Sequence, residues 1–257
     1  MQPPRLPESL RRLPVAHRAL HDRAQRRPEN SRAAIRAAMD AGYGIEIDLQ
    51  LSADGHAMVF HDDDLDRLTG TTGPVRARTA AELGAIPLKD ADDGIPTFAE
   101  VLALVAGQVP LLVEIKDQDG AAGPGIGVLE AAAARLLAGY GGEVAVMSFN
   151  PHSMADMARL LPRLPRGLIT WAWDAPEWPP LTEADCARLR GIPDYDRVGA
   201  SFVSHDWKDL GRARVADLAA KGADVLCWTI RSPAEEAEAR RIACNVTFEG
   251  YAAAFPA

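Results

Sequence analysis

The stretch Gly44-Ile45-Glu46-Ile47-Asp48-Leu49-Gln50-Leu51-Ser52-Ala53-Asp54-Gly55-His56-Ala57-Met58-Val59-Phe60-His61-Asp62-Asp63 contains two alternating runs joined at Ser52 to Gly55. Strand side chains alternate between faces, so Glu46 and Asp48 share one side while Ile45, Ile47 and Leu49 take the other. A parallel partner cannot follow so tight a bend, and the segment reads as an antiparallel hairpin turning at Asp54 and Gly55. That turn pairs 53 with 56, 52 with 57 and onward to 48 with 61, which sets His61 across from Asp48.

On either side of the hairpin, short apolar runs alternate with helical patterns. The predicted strands are Leu13 to His17, Gly44 to Leu49, Leu111 to Lys116, Val144 to Phe149, Gly167 to Trp171, Ala200 to Ser204, Val225 to Ile230 and Ala243 to Phe248. The predicted helices are Asn30 to Ala41, opening at an Asn cap, then Thr97 to Ala106, Pro124 to Ala138, Ser153 to Leu161, Thr182 to Leu189, Gly211 to Lys221 and Pro233 to Arg241. Eight parallel strands in 257 residues match the size of a (β/α)8 TIM barrel. No Ser/Gly-rich linker divides the chain, so residues 1–257 read as one domain. An open doubly wound sheet shares this periodicity, although the usual Gly-rich turn after the first strand is missing. Residues from about 62 to 95 are polar, carry Gly, Thr and Pro turns, and fit neither a barrel strand nor a full helix. They read as a small insertion, after the hairpin that follows the second strand, over one mouth of the barrel.

Composition narrows the classes of function. Lys and Arg number 28 against 36 Asp and Glu, a net charge of −8, which leaves no basic footprint for nucleic acid. Any phosphate chemistry must come from a local arrangement. Cys186, Cys227 and Cys244 are odd in number and lack CxxC spacing, as expected of reduced, buried thiols. The opening MQPPRLPESLRRLPVAHRAL carries prolines and arginines where an export signal needs an apolar run. No window approaches about twenty uninterrupted apolar residues, so no integral membrane association is expected and the cytoplasm is the expected address. Nothing in the sequence sets an oligomeric state.

The inward face of the second strand carries the chemistry. Two buried like charges, Glu46 and Asp48, require a proton or cation between them, and hard divalent ions favour oxygen ligands. Leu111-Leu112-Val113-Glu114-Ile115-Lys116 repeats the arrangement, with Glu114 and Lys116 on one face at the carboxyl end of an apolar strand. In a barrel that end is the functional mouth. Glu114 is then a third oxygen ligand, and Lys116 a point charge for phosphate. His17 and Arg18 close the first strand and His61 closes the hairpin return. Two histidines can divide phosphoester cleavage, one removing a hydroxyl proton and the other protonating the leaving oxygen. Arg18 offers a planar fork for phosphate oxygens. Asp62 is either part of a solvated acidic run or the group that orients His61. Of the remaining histidines, His205 is the best placed, because it follows a strand. Trp228, near the end of the seventh strand, packs either on substrate or in ordinary core, and Phe149, Trp171 and Trp173 share that ambiguity.

In order, His17-Arg18, Pro28-Glu29-Asn30-Ser31, Glu46-Ile47-Asp48, His61-Asp62, Glu114-Ile115-Lys116, Ser148-Phe149 and Trp228-Thr229 span nearly the whole chain. This series resembles the glycerophosphodiester phosphodiesterase family. The resemblance implies a (β/α)8 barrel and hydrolysis of glycerophosphodiesters to glycerol 3-phosphate and an alcohol. It also implies one divalent cation, Mg²⁺ or Ca²⁺, and a small-molecule substrate. By position, Glu46, Asp48 and Glu114 match the family's metal ligands, His17 and His61 its acid/base pair, and Arg18 and Lys116 its phosphate-binding residues; Trp228 is expected as a further substrate-binding residue from its place near the mouth. The implied chemistry is attack by the glycerol's neighbouring hydroxyl, a cyclic phosphate, and its opening by water. Three places depart from the pattern. Ala19 stands where the family usually has Gly and opens the loop ALHDRAQRRPENS, whose Arg23, Arg26 and Arg27 are expected to rim the pocket. Val246-Thr247-Phe248-Glu249-Gly250-Tyr251 replaces the common Thr-Asp, and Arg231 stands where Asn is frequent. The competing readings are a lysophospholipase D-like lipid phosphodiesterase, expected to carry a large apolar rim, and a catalytically silent ligand-binding barrel.

Overall fold

The computed structural model describes residues 4–174 and 180–256. In chain order the elements are α1 (Glu8–Arg12), β1 (Val15–Ala16), α2 (Arg32–Ala41), β2 (Gly44–Leu51), β3 (Ala57–Val59), α3 (Ala80–Ala85), α4 (Phe98–Val105) and β4 (Leu111–Ile115). They continue with α5 (Val128–Leu137), β5 (Val144–Ser148), α6 (Pro151–Leu160), β6 (Arg166–Thr170), α7 (Glu183–Arg190), β7 (Phe202–Asp206), α8 (Ala213–Ala220), β8 (Asp224–Ile230), α9 (Pro233–Ala239) and β9 (Asn245–Phe248). Strands β1, β2 and β4 to β9 pair in parallel, and β1 closes the ring by pairing with both β2 and β9. The result is the expected TIM barrel. The first strand is short, but the His17 N–H still donates to the Phe248 carbonyl, so His17 leaves the ring at the mouth.

Alternation along the strands builds two layers. Ile45, Ile47 and Leu49 of β2 and Val113 and Ile115 of β4 face outward and pack with Ile35, Phe98 and Val101 of the surrounding helices. The inward residues Val15, Leu112, Ala145, Met147, Ile169, Phe202 and Leu226 fill the barrel with Leu6 and Leu10. Leu10 belongs to α1, a one-turn helix the sequence pattern does not reveal. Its end is tied down by the buried Asn245 amide, which donates to the carbonyls of Leu10 and Leu13 at 2.8 and 2.6 Å. Phe202 fits because β6 offers Gly167 beside it; a Cβ there would collide with the ring.

The hairpin corrects one expectation. Leu49 pairs with Val59, Gln50 with Met58 and Leu51 with Ala57, and the Phe60 N–H donates to the Asp48 carbonyl. Phe60, not His61, therefore lies across from Asp48. The loop is three residues long, with Gly55 at φ 79° and the Ser52 N–H donating to the His56 carbonyl. Its shape is fixed from outside, since Asp54 accepts the Ala80 N–H and the Ala53 N–H donates to Arg78. His61 still reaches the mouth because β3 has ended before it. The segment after β3 carries its own core of Met58, Phe60, Leu65, Leu68, Val75, Leu83, Leu88 and Ile95, and includes the short helix α3. A second correction concerns α2: its cap is Ser31, whose hydroxyl accepts the Ala34 N–H, and Asn30 stands outside the helix at φ 58°. Among the described residues no helix is long and apolar enough to cross a membrane.

Candidate active site

A cavity of about 930 Å³ opens at the carboxyl ends of the strands, lined by His17, Arg18, Glu46, His61, Glu114, Lys116 and Trp228 among others. Asp48 lies beneath it, 1% exposed. Pairing in β2 and β4 sets Asp48 beside Glu114, and alternation adds Glu46 to the same inward face. One oxygen from each of these three carboxylates lies within 4.8 Å of the others.

The site crowds negative charge where water is scarce. Burial, with the charges of Asp48 and Glu114, pushes the Glu46 carboxyl well above its usual range. Burial pushes Asp48 up as well, but His61, Lys116, Arg18 and a hydrogen bond from Asn30 outweigh it and hold Asp48 below its usual range. Glu114 is raised because burial outweighs the attraction of Lys116. The Lys116 ammonium lies 3.0 Å from Glu114 and 3.4 Å from Asp48, and these neighbours keep it charged despite burial. Three converging hard oxygen donors, one already driven toward protonation by burial and by the charges of the other two, fit a divalent cation such as Mg²⁺ or Ca²⁺.

Residues around the triad hold it in place. The Arg18 backbone N–H donates to Glu46 Oε2 at 2.8 Å, and Asn30 Nδ2 donates to Asp48 Oδ2 at 2.9 Å. The Asn30 backbone N–H in turn reaches the Arg18 carbonyl, so the loop carrying His17 and Arg18 is bound to the carboxylates. Arg18 directs Nη1 at Glu29, which Arg67 also grips; Arg67 then grips Asp62, whose Oδ1 lies 2.7 Å from His61 Nδ1. Asp62 thus orients His61, which resolves the open reading. At His17 the equivalent carboxylate is Glu249, with Oε2 2.6 Å from Nδ1 and Oε1 held by Arg231 at 2.8 Å. Burial lowers the His17 pKa despite that hydrogen bond, while the hydrogen bond with His17, with the His21 ring nearby and the charge of Arg231, keeps Glu249 ionised and well below its usual range. An ionised carboxylate can only accept, so His17 donates from Nδ1 and its neutral ring carries the lone pair at Nε2.

Trp228 Nε1 donates to the Ser204 carbonyl at 3.0 Å, and its ring meets Phe149 edge to face at 5.6 Å. Phe149 meets Trp173 the same way, so the three rings form an aromatic wall lining the same cavity. Other expectations fail. Arg23, Arg26 and Arg27 do not rim the pocket: Arg23 and Arg26 pair with Asp90 and Asp92, clipping the loop to the segment after β3, and Arg27 lies near Asp22 within the loop itself. His205 is fully buried outside the cavity between Thr170 and Asp209, a packing role. The sequence alone gives Asn30, Glu29, Arg67 and Glu249 no part in the site. The first two stood within a matched motif, and Glu249 was visible as an acid ending the last barrel strand. Arg67 gave no signal.

A sequence model described as the glycerophosphoryl diester phosphodiesterase family matches residues 17–248. A glycerophosphodiester phosphodiesterase of Caldanaerobacter subterraneus is 35% identical over 170 residues, covering 62% of this chain and 67% of its own. One from Bacillus subtilis is 28% identical over 242 residues, covering 87% and 78%. Among solved structures, an Oleispira antarctica phosphodiesterase in complex with its product sn-glycerol-3-phosphate superposes with a TM-score of 0.75 at 24% identity, covering 92% of this chain and 93% of its own. At that identity the superposition speaks for the fold. The chain belongs to the glycerophosphoryl diester phosphodiesterase family of phosphoric diester hydrolases.

Proposed function

We propose that the chain hydrolyses small glycerophosphodiesters to sn-glycerol 3-phosphate and an alcohol, with one divalent cation, Mg²⁺ or Ca²⁺, held by Glu46, Asp48 and Glu114. The observation that carries this reading is a single cavity where three converging carboxylates meet two histidines, each bound through Nδ1 to its own carboxylate. When bound, the cation supplies Lewis-acid stabilisation of charge on the phosphoryl oxygens. The glycerol hydroxyl next to the phosphoester attacks phosphorus and the bond to the alcohol oxygen breaks, giving a cyclic phosphate that water then opens. His17 takes the hydroxyl proton at Nε2, since burial keeps its ring neutral. His61, held by Asp62, protonates the leaving oxygen. In the second step the two exchange roles. Arg18 and Lys116 neutralise the phosphate, answering the chain's net −8 locally. Trp228 and Phe149 face the alcohol half.

The catalytic unit is one domain, with about 62–95 as an insertion whose Arg67 braces both the His61 and Arg18 sides, and the cytoplasm is its address. Among the described residues, the large exposed apolar side chains Val128, Ile242 and Phe255 do not line the cavity, so no observation favours a lipid-directed phosphodiesterase. The test is release of sn-glycerol 3-phosphate from glycerophosphocholine by the purified protein. Turnover should vanish with a chelator, return with Mg²⁺ or Ca²⁺, and fall at least about a hundredfold in His17→Ala. Full activity in that variant, freed of host enzymes, would refute the mechanism, and binding without turnover would point to a silent barrel.

A further inference from the structure

Two of the places that depart from the family resemblance, the loop opening at Ala19 and Glu249 just after β9, meet at His17. Arg18 and Ala19 both take left-handed backbone, φ 50° and 64°, and fold the chain so that His21 returns toward His17. The ring nitrogens His17 Nδ1 and His21 Nε2 and the oxygen Glu249 Oε2 all lie within 4.8 Å of one another. Glu249 Oε2 is 2.6 Å from His17 Nδ1 and 3.5 Å from His21 Nε2, too far for a good hydrogen bond. His21 Nε2 is buried and has no hydrogen-bond partner, an unsatisfied nitrogen aimed at a carboxylate. The other oxygen of Glu249 is fixed by Arg231, so its approach to any bound group is set in advance.

We infer that His17, His21 and Glu249 form a second, inhibitory metal site that takes a borderline transition ion such as Zn²⁺. Two imidazole nitrogens and one carboxylate oxygen suit that class, whereas Mg²⁺ and Ca²⁺ prefer the all-oxygen set of Glu46, Asp48 and Glu114. The two sites therefore sort ions by chemistry. Side-chain exposures of 24% at His21 and 20% at Glu249 leave an approach from solvent. An ion on His17 Nδ1 displaces the proton held toward Glu249; the neutral ring then carries its one proton at Nε2 and cannot accept another. Binding rests on the geometry alone, while inhibition also rests on the reading of His17 as the base.

Co²⁺ is the probe, because its four- and five-coordinate complexes with nitrogen and oxygen ligands absorb visible light. Protein saturated with Mg²⁺ should take up one further equivalent of Co²⁺ with visible bands, and Zn²⁺ should displace it and remove the colour. His21→Ala, or the near-isosteric Glu249→Gln if the first variant folds poorly, should weaken Co²⁺ binding at least about tenfold. Glu46→Gln should leave the bands in place. No further equivalent in the Mg²⁺-loaded protein, or bands that survive both His21→Ala and Glu249→Gln, would overturn the site. Turnover of glycerophosphocholine should fall as Zn²⁺ fills the site, and His21→Ala, measured against its own zinc-free rate, should need at least about tenfold more Zn²⁺. Zinc that binds in a His21-dependent way without slowing turnover would overturn the inhibitory role and the reading of His17 together. Failure to bind would remove the site and leave that reading standing.

Discussion

Asn30 sits outside the helix it was expected to cap, at φ 58°, and spends its side chain on Asp48. Residue type alone favoured the cap, because Asn and Ser are both good caps and stand adjacent; only the position of β2 shows which one is drawn inward. Since Asn30 orients a carboxylate of the triad, Asn30→Ala should raise the Mg²⁺ concentration for half-maximal activity about 10- to 100-fold, as seen in a metal titration of turnover. The triad itself was legible, because alternation fixes the face of Glu46, Asp48 and Glu114 without knowledge of the partners. The carboxylates behind the histidines were less so: Asp62 adjoins His61, but Glu249 lies 232 residues from His17. That pair makes a pH prediction with a definite sign. His17 ionises below its ordinary 6.5 in the folded protein, so beneath that pH the unfolded chain binds more protons and stability declines. Glu249 is depressed from 4.5, and its contribution, present above that value, is lost as pH falls below it. The urea midpoint should therefore drop between pH 7.5 and 5.5 by more in the wild type than in His17→Asn; equal drops would remove His17 from the account.

At the scale of the element, the β2–β3 hairpin shows how a correct strand pair can carry the wrong register. Asp-Gly is a strong two-residue turn signal, yet contacts to Ala80 and Arg78 from the following segment hold a three-residue loop instead. Those contacts are distant in sequence and could not be read from the hairpin. The one-residue slip moves Phe60 into the small core with Met58 and Leu65, and frees His61 to leave the sheet. Gly55 permits the loop, since its φ is 79° and nothing lies within 4 Å of a Cβ built there. Gly55→Ala should thus cost about 1–2 kcal/mol through the backbone alone, read from urea unfolding, with turnover at saturating substrate unchanged. A silent substitution would mean the loop relaxes to a backbone with no positive φ at position 55.

For the whole molecule, eight strands and their helices were visible because each βα unit repeats a strong pattern, and the closure of β1 onto β9 follows from barrel size. The helix α1 was not visible, since five residues are too few for a helical period, yet Leu10 is fully buried in the barrel's inward cluster. Leu10→Ala should destabilise the protein by about 2–5 kcal/mol in urea unfolding while sparing the mouth, so turnover of the folded fraction persists. The acidic excess also has a place at this scale: Glu46, Asp48 and Glu114 converge in the barrel, with Lys116 and Arg18 among them. What occupies that point decides the chemistry. A crystal grown with Mn²⁺ and sn-glycerol 3-phosphate, measured for anomalous scattering, locates the ion directly. The expected result is one peak about 2.0–2.4 Å from oxygens of Glu46, Asp48 and Glu114, touching a phosphate that lies between His17 and His61. A phosphate bound in the cavity with the manganese peak elsewhere, or with no peak at these carboxylates, would contradict it.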